Sequence, residues 1–165
     1  MILSPLQNTG VFLGGQWIQK RPRITQFFGK NPDMYKQFGM LGHNGIDFGI
    51  PVGTPLFAVF EGIVFECSDD GSGYGKFIKL RKDNIEVVYG HLSDQEVKKG
   101  QKIYMGDKIG ESGNTGNSTG PHLHFGLRCL DSKGNILAYN NGYKGYVDPL
   151  PFLLTWKGTF LNNSL

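Results

Sequence analysis

The chain carries four histidines, His43, His91, His122 and His124, and two of them stand one residue apart in Pro121-His122-Leu123-His124-Phe125. In a strand, alternate side chains leave by opposite faces. His122 and His124 would then share one face, with Leu123, Phe125 and Leu127 on the other. Two imidazoles above an apolar face suit a metal centre in which one ring binds the ion and the other handles protons. Alone, H-x-H is a weak signal, and a turn leading into a strand with two incidental histidines reads equally well. A second segment changes the balance. Read as a strand, residues 42–50 set His43, Gly45, Asp47 and Gly49 on one face and Ile46, Phe48 and Ile50 on the other. His43, Asp47 and His124 together offer an N, O, N donor set with a fourth position left for water, which is the catalytic form of zinc coordination. Glycines 45, 49 and 126 are expected to leave space on these faces for an extended peptide.

The elements that must position these groups are short and punctuated. Glycine accounts for 25 of 165 residues and is spread along the chain, which favours tight turns between short strands over a disordered linker. Residues 23–29 read as a strand, 30–41 as a loop, and 57–60 and 62–66 as two strand runs. Residues 69–75 read as an exposed turn. Residues 76–81 and 85–89 form a hairpin that delivers Tyr89-Gly90-His91-Leu92. Lys99–Ile103 and Met105–Ile109 echo one another, each turning at a glycine, and residues 112–120 form a loop entering the H-x-H strand. The expected fold is all-β: a compact antiparallel β-sandwich or barrel-like domain with a catalytic groove and few or no helices. Residues 1–22 are expected to be an N-terminal extension, 23–154 the domain, and 155–165 a C-terminal tail.

Composition narrows the function classes. A net charge of +3 fits an anionic partner such as a bacterial cell wall but is too small to argue for nucleic acid. No apolar run approaches membrane-spanning length, and the first ten residues lack the basic and apolar regions of a signal peptide. Cys67 and Cys129 are expected to be buried free thiols rather than a disulfide or metal ligands. A lipoyl-type carrier would need a lysine presented beside methionine, and Met105 is followed by Gly106. A phosphate-binding loop at 113–120 lacks the closing Gly-Lys-Ser/Thr.

With these motifs assembled, the sequence resembles the M23 metallopeptidases, the lysostaphin- or LytM-type cell-wall endopeptidases. The resemblance rests on His43-x-x-x-Asp47, Tyr89-Gly-His91-Leu92 and His122-Leu-His124. It extends to Pro51-Val-Gly-Thr-Pro55, the run from Val97 to Gly110, and Asn117-Ser-Thr-Gly-Pro-His-Leu-His-Phe125, and it covers roughly Ile24 to Leu153. The long approach to His43 and the Gly142–Pro149 ending are similar to phage-encoded members. The resemblance implies a zinc enzyme, acting as a monomer outside the cell or with a phage particle, that hydrolyses a peptide bond of peptidoglycan in the stem peptide or its cross-bridge. It implies that His43, Asp47 and His124 hold one zinc, with His91 and His122 beside it as catalytic groups. Zinc so held would acidify a bound water and polarise the carbonyl. No H-E-x-x-H helix supplies a glutamate base, so His122 is the candidate base, with His91 handling protons or stabilising charge beside it. The competing reading is a non-catalytic wall-binding or virion structural protein of the same fold.

Overall fold

The computed structural model describes residues 22–154 and three short strands before them. The rest of the expected N-terminal extension, and the expected tail at 155–165, lie outside the described residues. The first strands are β1 (Ile2–Leu3), β2 (Val11–Leu13), β3 (Gln16–Ile18), β4 (Arg23–Gln26) and β5 (Ile46–Gly49). Next come β6 (Pro55–Phe57), β7 (Gly62–Asp69), β8 (Lys76–Lys82), β9 (Ile85–Gly90) and β10 (Leu92–Gln95). The last are β11 (Lys102–Ile103), β12 (Lys108–Ser112), β13 (Leu123–Cys129), β14 (Tyr146–Val147) and β15 (Leu153–Leu154).

One antiparallel sheet, in the order β11-β7-β8-β9-β13-β5-β4 with β14 paired to β13, carries the site. A three-stranded sheet, β10-β12-β6, packs beneath it. The inner face of the large sheet contributes Ile46, Phe48, Ile78, Leu80, Val87, Tyr89, Leu123, Phe125 and Leu127 to a core shared with Leu56, Leu92 and Ile109 of the smaller sheet. Each such side chain stabilises the fold by about 1.5–3 kcal/mol when fully buried. A one-residue slip of β13 would expose three of them and turn His124 inward, so the apolar face fixes the register of the polar one. The all-β architecture with little helix is therefore what the sequence pattern specifies.

Three local expectations need correction. The segment 30–41 is not a plain loop: it holds a single short helix, α1 (Pro32–Tyr35), followed by a 3₁₀ turn that ends at Gly39 with φ of 68°. Residues 58–60 are not strand. Ala58 exchanges backbone bonds with Gly106 and Asp107, and the Val59 N–H donates to the Tyr89 hydroxyl at 3.1 Å, so the run is apolar because it is buried, not because it is extended. The two glycine echoes diverge, since β11 joins β7 in the large sheet while β12 joins β10 and β6 in the small one.

Candidate active site

The strand register builds half of the site. β13 runs antiparallel to β5 with His124 directly opposite Asp47, so the two side chains leave the same face of neighbouring strands. His43 arrives differently from the way its sequence suggests. β5 begins only at Ile46, and His43 lies in the preceding loop, where its N–H donates to the Lys30 carbonyl and its carbonyl accepts from Gly29 N–H. Two backbone bonds to a neighbouring segment replace the strand periodicity that was expected to aim it.

The three donor atoms converge. His43 Nε2 lies 2.9 Å from His124 Nδ1 and 3.1 Å from Asp47 Oδ1, and His124 Nδ1 lies 3.0 Å from the same oxygen. All three residues are buried. His43 Nδ1 faces the Phe27 carbonyl at 3.2 Å, so it carries the proton and leaves Nε2 as a lone pair. Burial raises the Asp47 carboxyl, but hydrogen bonds and charge from His124 and His43 outweigh it and hold the group well below the usual carboxylate range. Burial pushes the His124 imidazole down, with Asp47 opposing. A carboxylate oxygen and two imidazole nitrogens brought this close repel unless a proton or a cation lies between them. The donor set fits a divalent cation such as zinc.

His122 and His91 flank this cluster. His122 precedes β13 in a single bridge to Gly113. Its Nδ1 donates to the Gly120 carbonyl at 2.7 Å, and its Nε2 faces Asp47 Oδ2 at 3.6 Å. His91 stands where the chain leaves the large sheet for the small one, with φ of 63°. Its N–H donates to the Tyr74 carbonyl at 2.7 Å and its Nδ1 to the Thr115 carbonyl at 2.8 Å. Each ring thus commits its Nδ1 to a backbone carbonyl, so a proton is gained or given up at Nε2. The rings lie 4.6 Å apart. Burial, reinforced by His124 and His122, lowers the His91 imidazole to about 4, which keeps it neutral near neutral pH. All five residues singled out from sequence meet in one cleft.

Other contributors were not read from the sequence. The segment 69–75 is an ordered loop rather than a bare turn: Asp70 accepts N–H bonds from Ser72, Tyr74 and Gly75. It brings the Tyr74 ring to 5.2 Å from His124, while the Tyr74 hydroxyl accepts from Asn44 Nδ2 at 2.7 Å. Tyr35, from α1, packs 5.4 Å from the His43 ring and accepts from Gln26 Nε2 at 2.9 Å. Pro32 at the helix start and Gly39 after it were the available signal for that element. The glycines do not open a groove. A Cβ on Gly45 would lie 2.5 Å from the Phe125 carbonyl oxygen and 2.7 Å from the His124 ring, one on Gly49 2.6 Å from Thr25, and one on Gly126 2.7 Å from Tyr146. They permit close approach instead. Tyr89 is core, while Tyr143 stacks on Phe28 at 4.5 Å. The two thiols are free but only half-buried; Cys67 donates to the Val97 carbonyl at 3.1 Å.

Comparison with known proteins defines the class. Residues 41–141 match the model of Peptidase family M23, and the chain belongs to that family. It is 44% identical over 99 residues to the peptidoglycan DD-endopeptidase ShyA of Vibrio cholerae, covering 59% of this chain and 23% of that protein. It is 41% identical over 113 residues to the glycyl-glycine endopeptidase ALE-1 of Staphylococcus capitis, covering 67% of this chain and 29% of that protein. The chain therefore spans less than a third of the length of these relatives. Its fold is similar to the catalytic domain of the antimicrobial peptidase lysostaphin from Staphylococcus simulans, with a TM-score of 0.65, 31% identity, and coverage of 79% of this chain and 91% of that one.

Proposed function

We propose that this chain is a zinc-dependent endopeptidase that hydrolyses peptide bonds of bacterial peptidoglycan. The observation that carries this reading is the convergence of His43 Nε2, Asp47 Oδ1 and His124 Nδ1 to within 3.1 Å of one another. Those three residues would hold one zinc per chain, and zinc when bound supplies a Lewis acid and an acidified water. The chain's own groups do the rest. His122, held through Nδ1 by the Gly120 carbonyl, takes a proton at Nε2 from the attacking water and returns it to the departing amine. His91, tied to Thr115 in the same way, offers a second nitrogen on the same side of the cleft. An enzyme acting on cell-wall peptides would work outside the cytoplasmic membrane. Among the described residues, no helix is long and apolar enough to cross one. The complete set of four histidines and Asp47 weighs against a non-catalytic wall-binding role.

The test is elemental analysis beside wall lysis. About one zinc per chain is expected, with hydrolysis lost on strong chelation and recovered with zinc. Full hydrolysis by a verified metal-free sample would end this reading.

A further inference from the structure

We infer that the cavity beside the metal centre is a carboxylate-binding subsite floored by Arg128, so that the preferred substrate carries a free carboxylate within a residue or two of the scissile bond; this rests on the peptidase reading above. The cavity encloses about 260 Å³, and both His124 and His91 line it. Arg128 lies four residues beyond His124 on the same face of β13, roughly 13 Å along the strand at about 3.3 Å per residue. Both residues line the one cavity, so a peptide whose carbonyl sits at the metal centre can extend along it toward Arg128.

The charge around Arg128 is unbalanced. Glu86 lies opposite it on β9 and is the one carboxylate near two guanidinium groups. Glu86 Oε2 accepts from Arg81 Nε at 2.7 Å. Glu86 Oε1 and Arg128 Nε form an ion pair at 3.1 Å without hydrogen-bond geometry, and the guanidinium lies over the Tyr146 ring at 4.2 Å. Arg128 Nη2 donates to the Tyr146 hydroxyl at 2.8 Å, and among the described residues Nη1 makes no hydrogen bond. Arg128 is only 8% exposed. A buried guanidinium loses its hydration and regains it only through anionic or hydrogen-bonded partners, and its planar fork matches a carboxylate. Lys144 lines the same cavity and has no carboxylate at ion-pair distance among the described residues. Asp70, the acid on the wall, already accepts three backbone N–H groups. An oligoglycine strand has no side chain to fill such a cavity and no carboxylate along its length. A stem peptide can offer a carboxylate from a side chain or from its terminus.

The experiment compares kcat/KM of the zinc-loaded protein on one cross-linked stem peptide in three forms: all carboxylates free, the side-chain carboxylate amidated, or the terminal carboxylate amidated. An oligoglycine peptide amidated at its C-terminus, and so without a carboxylate, is the fourth substrate. One amidated form is expected to lose about 10- to 100-fold, the scale of a charged hydrogen bond in a desolvated site, and which form loses it identifies the source. Oligoglycine should be cut more slowly than the free acid. Arg128→Gln should abolish the preference. Because Arg128 contacts Glu86, that variant is first checked for native circular dichroism, and Lys144→Gln at the rim, expected to reduce the preference severalfold, keeps the test open if it misfolds. Equal rates on the free and both amidated forms overturn the subsite, as does oligoglycine cut as fast as the free acid. A preference unchanged in every folded variant also overturns it. If no peptide is cut at all, the peptidase reading fails instead. Calorimetric binding of the same peptides then decides the subsite: tighter binding of the free acid supports it, and equal binding overturns it.

Discussion

His124 and Asp47 face each other across neighbouring strands, whereas His91 and His122 stand where strands begin or change sheets. The first pair is fixed by ladder register, which the apolar residues on the opposite face of β13 enforce. The second pair is held by loops: each Nδ1 donates to a loop carbonyl, at Thr115 and Gly120, and each backbone N–H to another, at Tyr74 and Gly113. The contrast fits the proposed roles. Donor atoms that must hold one ion at constant spacing are placed by the stiffest part of the fold. Groups that pass protons are tethered at one nitrogen and left free at the other. His43 is intermediate, a loop residue locked by two backbone bonds.

The largest effect should come from breaking the register-held side. His124→Ala or Asp47→Ala removes one of three donors, so zinc per chain and hydrolysis should fall together, the latter by on the order of a thousandfold or more. His43→Ala should behave likewise. Retention of full zinc by His124→Ala would show that the ligand set is drawn wrongly.

Smaller losses should follow on the carbonyl-tethered side. His122→Ala leaves all three donors in place, so most of the zinc should remain while turnover drops by on the order of a hundredfold. His91→Ala should resemble it, less severely. If both serve one proton-transfer sequence, the double variant should lose less than the product of the two single losses. Zinc analysis and lysis rates on the same preparations check all three. Zinc lost from His122→Ala but kept by His124→Ala would reverse the comparison.

How far this was legible in the sequence depended on which device positioned each residue. His124 and the apolar face of β13 followed from period-two alternation, because a strand buried on one side must alternate. Asp47 followed in the same way from β5. The way His43 is held did not, because its partners at Gly29 and Lys30 are backbone groups that leave no side-chain pattern. Tyr74 was hidden in a segment whose glycines and acids read as solvent-exposed; only the folded loop shows Asp70 spending its carboxylate on three N–H groups. The glycines misled for a related reason. A missing Cβ marks either open space or close approach, and sequence does not tell the two apart.

Gly45→Ala separates those meanings on the ligand side. The added methyl would meet the Phe125 carbonyl oxygen and the His124 ring, so the backbone and the proposed ligand must shift. The expected outcome is destabilisation of about 1–3 kcal/mol in urea unfolding, accompanied by weakened zinc binding. A variant that kept its zinc and stability but showed a raised KM would restore the reading of Gly45 as groove space for substrate.

The smallest effect isolates the backbone at the corner between the sheets. His91 adopts φ of 63°, a region that costs an L-residue about 1–2 kcal/mol and glycine almost nothing. His91→Gly and His91→Ala remove the same imidazole and keep the same N–H bond to Tyr74, so they should lose equal activity. They should differ in stability. The glycine variant is expected to unfold about 2–4 °C above the alanine variant, the shift that roughly 1 kcal/mol produces in a domain of this size. Glycine also gives the unfolded chain more freedom, which narrows the gap, so the sign is the decisive reading. Should the alanine variant melt at the same temperature or higher, the left-handed corner would cost the fold nothing. His91 would then be held by its bonds to Tyr74 and Thr115 with no backbone strain to offset.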